Sequence, residues 1–218
     1  MKIGILGAGH IGKALARLLA QAGHQVGISN SRGPDSLLDG TQTLRDLAYA
    51  LGHGVKAFTN EDAARFGELV IETIPFGKYM ELPAVQVESK IVIDTANYYP
   101  QRDGQIELGG LSQSAFIARH LPRARVVKAF NTIQSAHLES QGDTSRPLDD
   151  RRAIFIAGDD QEAKDVVTGL IEQIGFAAVD TGSLADSKVQ EPGTPIYGPD
   201  LSARQAREAL KQSQSQQG

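Results

Sequence analysis

The sequence predicts an α/β protein: a doubly wound parallel sheet with helices on both faces, followed by a small C-terminal α/β region. Three observations predict it. Short apolar runs alternate with helix-like stretches along all 218 residues, and strand–helix–strand alternation of that kind gives parallel crossovers. Several runs, such as Leu69–Ile74 and Ile91–Thr95, are continuously apolar rather than alternating, as strands covered on both faces are. The first run flows directly into a glycine-rich turn that opens an amphipathic helix.

The elements follow in order. Ile3–Leu6 is the first strand. Gly12–Ala22 is a helix with Ala14, Leu15, Leu18 and Leu19 on one face, stopped by Gly23. Val26–Ser29 is the second strand. Pro34 fits the first turn of a helix that continues through Leu44, Leu47, Ala48 and Leu51. Val55–Phe58 is the third strand, and Asn60 suits the N-cap of a brief helix reaching Phe66. Leu69–Ile74, Ile91–Thr95 and Arg125–Phe130 are the next strands, with a helix over Ser112–His120. Beyond them, Thr132–Glu139 reads as helix and Gln141–Asp150 as a polar loop. Ala153–Ala157 and Ala177–Asp180 are two more strands, joined by a helix from Asp160 to Ile174. Gly182–Pro199 is irregular, and Ser202–Lys211 is a helix.

Composition excludes several function classes. The net charge is −4 and no Lys/Arg block occurs, so neither nucleic acid nor a membrane surface is an expected partner. Cysteine is absent, which removes disulfides, thiolate nucleophiles and Cys-based metal sites. The histidines His10, His24, His53, His120 and His137 lack the spacing of a metal site, so no metal is expected. Ile3–Leu6 is too short for a signal segment or a membrane span. A cytoplasmic location is the expectation.

Gly7-Ala8-Gly9-His10-Ile11-Gly12 matches G-x-G-x-x-G between a strand and a helix, the context in which that pattern marks a Rossmann-type dinucleotide site. Gly7 permits the tight turn, Gly9 lets the backbone approach a pyrophosphate, and Gly12 lets helix and strand pack closely. The helix N-terminus offers unpaired N–H groups to phosphate; His10 and Ile11 lie in that loop. Where NAD enzymes place an acid at the end of the second strand, this chain reads Ile28-Ser29-Asn30-Ser31-Arg32. Asn30 occupies the carboxylate position, and Ser31 and Arg32 suit a 2′-phosphate. NADP(H) is therefore the expected cofactor. Residues 1–130 read as the NADP-binding domain, 131–211 as a small region closing its cleft, and 212–218 as a disordered tail.

Ligands of doubly wound sheets sit at the carboxyl ends of the strands. Those ends supply Ile74, Pro75 and Phe76, then Ala96 and Asn97, then Asn131 and Thr132. Ile74 and Pro75 suit the cover of a ribose and nicotinamide, with Pro75 making a stiff turn. Asn97, Asn131 and Thr132 suit a substrate pocket, although Asn at a strand end is equally a turn former. Tyr197, in the Gly- and Pro-rich stretch Glu191–Gly198, is a further pocket candidate, or else an assembly element or a loop tyrosine. No catalytic residue is identified. Asp94 reads as a partner of nearby backbone amides, Lys128 as a strand-end lysine reaching water, and His137 as a helix-surface residue.

Together the GAGHIG loop, the Asn30-Ser31-Arg32 turn, the Ile74-Pro75-Phe76 loop and the run Val126-Val127-Lys128-Ala129-Phe130-Asn131-Thr132 resemble the F420-dependent NADP oxidoreductases. The cytosolic domain of the STEAP metalloreductases is similar in the same places. The resemblance reaches to about Gly198. It implies NADP(H) on the loop and on Ser31 and Arg32, a hydride passed between nicotinamide C4 and a deazaflavin (F420) or flavin ring, a C-terminal region closing the cleft, and a homodimer. Members of that family carry more basic charge after the Ser-Arg pair, where this chain reads Gly33-Pro34-Asp35-Ser36. Two other readings compete: an NADPH-dependent reductase of a small carbonyl or imine, and a non-catalytic NADP-binding redox sensor.

Overall fold

The computed structural model describes residues 1–38, 40–52 and 54–215, with side chains described as far as residue 212. His53 lies outside the described residues. Eight strands form one sheet: β1 (Lys2–Leu6), β2 (Gln25–Ser29), β3 (Val55–Phe58), β4 (Leu69–Glu72), β5 (Ile91–Asp94), β6 (Arg125–Lys128), β7 (Ala153–Gly158) and β8 (Ala177–Asp180). Their order is β3-β2-β1-β4-β5-β6-β7-β8. Neighbours are parallel except β6 and β7. The order reverses between β1 and β4, and a doubly wound sheet opens a crevice there, beyond the carboxyl ends of its strands. The C-terminal strands extend this same sheet, with β7 running against β6.

The continuous apolar runs are explained by a core on each face. In β4, Ile71 enters one core and Val70 the other; in β5, Ile93 and Val92 divide the same way. One core lies under α1 (His10–Gln21), α2 (Leu44–Leu51) and α7 (Gln161–Gln173), where Leu15, Leu47 and Ile171 are buried. The other lies on the side of α3 (Asn60–Phe66) and α5 (Gln113–His120) and includes Ala63, Ile117 and Phe76. A third cluster joins β7 and β8 to α8 (Ala203–Ser215) through Phe155, Val179 and Ala206.

Local chemistry moves several boundaries. The helix expected from Pro34 begins only at Leu44. Gly33 and Gly40 hold positive φ, and Thr43 starts α2 with a capping box to Asp46, which fixes a helix start against the weaker pull of a first-turn proline. Thr59, not Asn60, caps α3, accepting from the Asp62 N–H. Asn60 instead accepts the Ser29 hydroxyl at 2.8 Å. Two short helices differ from expectation: α4 (Pro100–Asp103) was not foreseen, and α6 is confined to Ser135–Ser140. α8 runs on to Ser215, so residues 212–215 are helical rather than tail, and 216–218 lie outside the described residues. Strand β6 ends at Lys128, two residues early, because Phe130 has φ +61°, a left-handed conformation costing a residue with a Cβ about 1–2 kcal/mol.

Candidate active site

The glycine loop divides its labour among three positions. Gly7 has φ +114°, and a Cβ there would sit 2.6 Å from the Thr73 hydroxyl. A Cβ on Gly12 would meet the Gly7 carbonyl oxygen at 2.2 Å. These two glycines let the loop, α1 and the end of β4 close on one another. Gly9 is different: a Cβ there meets nothing within 4 Å. Its missing side chain leaves a space that the protein itself does not fill. No side chain caps α1 and its first turn carries no acid, so the leading N–H groups and the positive end of the helix face that space. A pyrophosphate fits this donor set.

The space opens into a cleft of about 610 Å³. One end is walled by Gly7, Gly9, His10 and Ile11, and the adjacent wall by Asn30 and Ser31; Ile74, Pro75, Ala96 and Asn97 complete the floor. The structure thus brings most of the expected cofactor residues together. Three stand apart. Gly12 is buried in the helix–strand contact. Arg32 is exposed and outside the cleft wall. Phe76 is a correction: its ring is 1% exposed and packs on Tyr98 and Phe116, with centroids 5.2 and 5.8 Å away. Pro75 turns the chain into a 3-10 helix over Phe76–Glu81, which sends the aromatic ring into the core.

Asn30 is committed to its own turn. Its Oδ1 accepts the Arg32 N–H at 2.9 Å, and its Nδ2 donates to the Ser36 hydroxyl at 3.0 Å. The acid that departs from the family pattern, Asp35, is gripped by Arg45 through contacts of 2.9 and 3.2 Å. Arg45 holds the Asp35 carboxyl below its usual range.

Beneath the floor lies a buried cluster. Glu72, Asp94 and Lys128 are register neighbours across β4, β5 and β6 and are all 0–1% exposed. Lys128 therefore does not reach water. Its ammonium pairs with Asp94 at 3.4 Å and donates to the Ala96 carbonyl; burial between two covered faces leaves it no route to solvent. Asp94 accepts the Ala96 N–H at 2.9 Å and the Ser114 hydroxyl at 2.5 Å, as expected of a partner to backbone amides. Glu72 accepts the Ile74 N–H at 3.3 Å. Burial, and then the adjacent Asp94, push the Glu72 carboxyl well above its ordinary value. For Asp94 burial acts upward too, but Lys128 and its hydrogen bonds outweigh it and hold the carboxyl low. The Asp94 carboxylate beside it can accept a hydrogen bond from a protonated Glu72, which raises the one carboxyl and lowers the other.

The substrate-pocket candidates separate. Asn97 lines the cleft. Asn131 and Thr132 are buried, each 5% exposed, and do not reach it; Asn131 Nδ2 donates to Asn97 Oδ1 at 3.0 Å. Tyr197 also lies outside the wall, with its hydroxyl bonded to that of Tyr99. His137 sits on α6 against Asp200, at 3.0 Å. Sequence reasoning missed Asn60, Thr73, Lys78, Glu81, Tyr99 and Arg102, all of which line the cleft. Thr73 and Tyr99 carried a readable signal, because each adjoins a strand-end segment already singled out. Lys78 and Glu81, paired at 2.7 Å, carried none. Among the described residues no His/Cys/Asp/Glu group could hold a metal ion, and no helix is long and apolar enough to cross a membrane.

Comparison with known proteins gives the family. The family profile "NADP oxidoreductase coenzyme F420-dependent" matches residues 2–98. The F420-dependent NADP reductase of Methanothermobacter marburgensis is 33% identical over 208 residues, covering 90% of each chain. Metalloreductase STEAP3 of Rattus norvegicus is 29% identical over 192 residues; the match covers 87% of this chain and 36% of that protein, so the chain spans about a third of its length. A solved structure of a hypothetical protein from Sinorhizobium meliloti aligns with TM-score 0.78 and 33% identity, over 93% of this chain and 95% of that one. The chain belongs to the F420-dependent NADP oxidoreductase family, a class of NADP-dependent oxidoreductases.

Proposed function

We propose that this protein transfers a hydride between NADPH and a deazaflavin (F420) or flavin-type ring. The observation that carries the reading is the open face of Gly9 at the N-terminus of α1, continuous in one cleft with a floor of Ile74, Pro75 and Ala96. Bound there, NADPH supplies a hydride from nicotinamide C4. The N–H groups of the first turn of α1 would hold the pyrophosphate. Ser31, with Arg32 at the rim, would hold the 2′-phosphate. The pairing of Asp35 with Arg45 supports this, since it offsets an acid beside the turn that would repel the phosphate. Ile74 and Pro75 would pack on the nicotinamide half and keep water from it. Reaction between two planar rings needs close stacking, with reacting atoms about 3–3.5 Å apart, and the protein supplies orientation and dryness rather than a nucleophile.

In this reading residues 1–130 bind the dinucleotide and residues 131–211 close the cleft, with Tyr197 reaching Asn97 and Tyr99. A cytoplasmic homodimer is the accompanying expectation; light scattering tests the dimer. The function is tested by mixing the full chain with NADPH and, in turn, F420, FMN and a panel of carbonyls and imines, following NADPH absorbance. Turnover with a ring acceptor supports the reading. Turnover only with the carbonyls or imines would replace it, and NADPH binding without turnover of any acceptor would favour the redox sensor.

A further inference from the structure

The Tyr99 hydroxyl ends a hydrogen-bonded chain that begins in the buried Asn131. Asn131 Nδ2 donates to the Gln190 carbonyl at 2.7 Å and to Asn97 Oδ1 at 3.0 Å. With its oxygen accepting, the Asn97 amide has its two donors on the other side. They go to the Asn131 carbonyl at 2.8 Å and to the Tyr197 hydroxyl oxygen at 3.3 Å. Tyr197 is bonded in turn to the Tyr99 hydroxyl. Tyr99 lines the cleft, whereas Tyr197 is not part of its wall.

One hydrogen lies between the two phenol oxygens, and its direction follows from satisfaction. If Tyr99 donated to Tyr197, the Tyr197 O–H would have no acceptor among the described residues. Tyr197 is half-buried and already accepts from Asn97, so that O–H would be left to partial solvent, at part of the cost of about 1–3 kcal/mol that an unpaired buried donor carries. If Tyr197 donates to Tyr99, both of its bonds are made, and the Tyr99 O–H is left free to donate to a ligand in the cleft that Tyr99 lines. Burial, and then the bond with Tyr99, push the Tyr197 phenol further above its ordinary value, so it stays protonated and able to donate at any working pH. Arg102 fixes the Tyr99 ring from its face, with the guanidinium 5.0 Å from the ring centroid and a bond of 2.6 Å to the Asn97 carbonyl.

We propose that the Tyr99 hydroxyl is the hydrogen-bond donor to the acceptor ring, directed at the ring oxygen or nitrogen that gains negative charge as the hydride arrives. Tyr197, Asn97 and Asn131 are its positioning residues. The proposal rests on the ring-acceptor reading above. In that reaction the C–H bond at nicotinamide C4 breaks, its electron pair and hydrogen form a bond to the acceptor ring, and NADPH becomes NADP+. The ring then carries one extra negative charge until a proton from water neutralises it. Tyr99 transfers no proton in this step; its O–H stabilises the charge where it develops.

The test measures kcat and KM for F420 and for FMN, together with the NADPH dissociation constant, in the full chain and in Tyr99→Phe and Tyr197→Phe. Thermal melts check that each variant is folded. Tyr99→Phe is expected to lower kcat about 10- to 100-fold, and Tyr197→Phe about three- to tenfold because the Tyr99 donor is kept but no longer aimed. NADPH affinity is expected to stay within about threefold for both. Wild-type turnover with Tyr99→Phe unchanged in kcat, or weakened only through NADPH binding, overturns the assignment of Tyr99 alone. A wild-type protein that binds NADPH and reduces neither ring overturns the acceptor reading and the proposal with it.

Discussion

Gly9→Val separates the site from the fold. The backbone at Gly9 is extended, with φ −74°, a conformation that valine adopts freely. A Cβ there meets nothing within 4 Å, so no packing is lost. The cost to folding is the poorer N-cap, about 1 kcal/mol, which lowers Tm by about 2–4 °C in a chain of this size. The effect on NADPH is much larger. The valine methyls occupy the space through which a pyrophosphate would reach the first N–H groups of α1. Losing two such charge-assisted bonds costs about 3 kcal/mol or more, at least about 100-fold in Kd. NADPH fluorescence titration and a thermal melt of the same sample measure both effects. A folded Gly9→Val protein that binds NADPH within threefold of wild type would refute the reasoning, because the open face of the loop would then not be where the phosphates sit.

Three further outcomes are expected. Gly12→Ala places a Cβ 2.2 Å from the Gly7 carbonyl and should lower Tm by about 5 °C or more through overpacking; an unchanged melt would show that the loop and helix can separate at no cost. Arg32→Ala should weaken NADPH about tenfold and leave NADH within threefold; equal losses for the two would sink the 2′-phosphate assignment. Glu72 has a folded pKa above its unfolded value of 4.5. The folded state therefore keeps a proton that the unfolded chain releases, and this contribution to stability is full below about pH 4.5 and lost as pH rises toward the folded value. Glu72→Gln removes the dependence, so urea melts at pH 5 and pH 8 should show wild type losing ground to the variant at the higher pH. A wild-type-minus-variant difference that is the same at both pH values contradicts a protonated Glu72.

The sequence was most legible where one residue type answers one local demand. The bounds of β3 and β8 were readable because short apolar runs are flanked by turn formers. The glycine loop was readable because three glycines at fixed spacing meet distinct steric needs, two internal and one external. Legibility failed where the deciding partner is remote. Nothing local tells that Lys128 lies beside Asp94, 34 positions away, or that the covered face of β6 denies it water. Phe76 follows Pro75 in the chain, so sequence alone groups it with the cofactor residues; the direction of its ring depends on Tyr98 and Phe116. The early part of the expected α2 failed for a different reason. Pro34 is a helix-start signal, but Thr43 with Asp46 is a stronger one, and two cap signals in one segment cannot be ranked without seeing which turn the glycines take.

The buried charges at the strand ends follow from the cleft itself. Beyond the carboxyl ends of parallel strands the hydrogen-bond ladder stops, yet the chain at Ile74 and Ala96 must stay buried enough to form a floor. Its polar groups then need partners that no neighbouring strand provides. Side chains of the last strand residues supply them: Glu72 accepts from the Ile74 N–H, Asp94 from the Ala96 N–H, and Lys128 donates to the Ala96 carbonyl. Three ionised groups in that position would be costly to bury unless they balanced. Asp94 and Lys128 cancel, and a protonated Glu72 adds no charge, so the cluster is neutral as a unit. A second carboxylate there would cost desolvation energy and would place net negative charge beneath a cleft proposed to take a dinucleotide with three phosphate groups. Charged residues in an otherwise apolar strand thus mark the stretch where the sheet gives up its own hydrogen bonds to open a ligand floor.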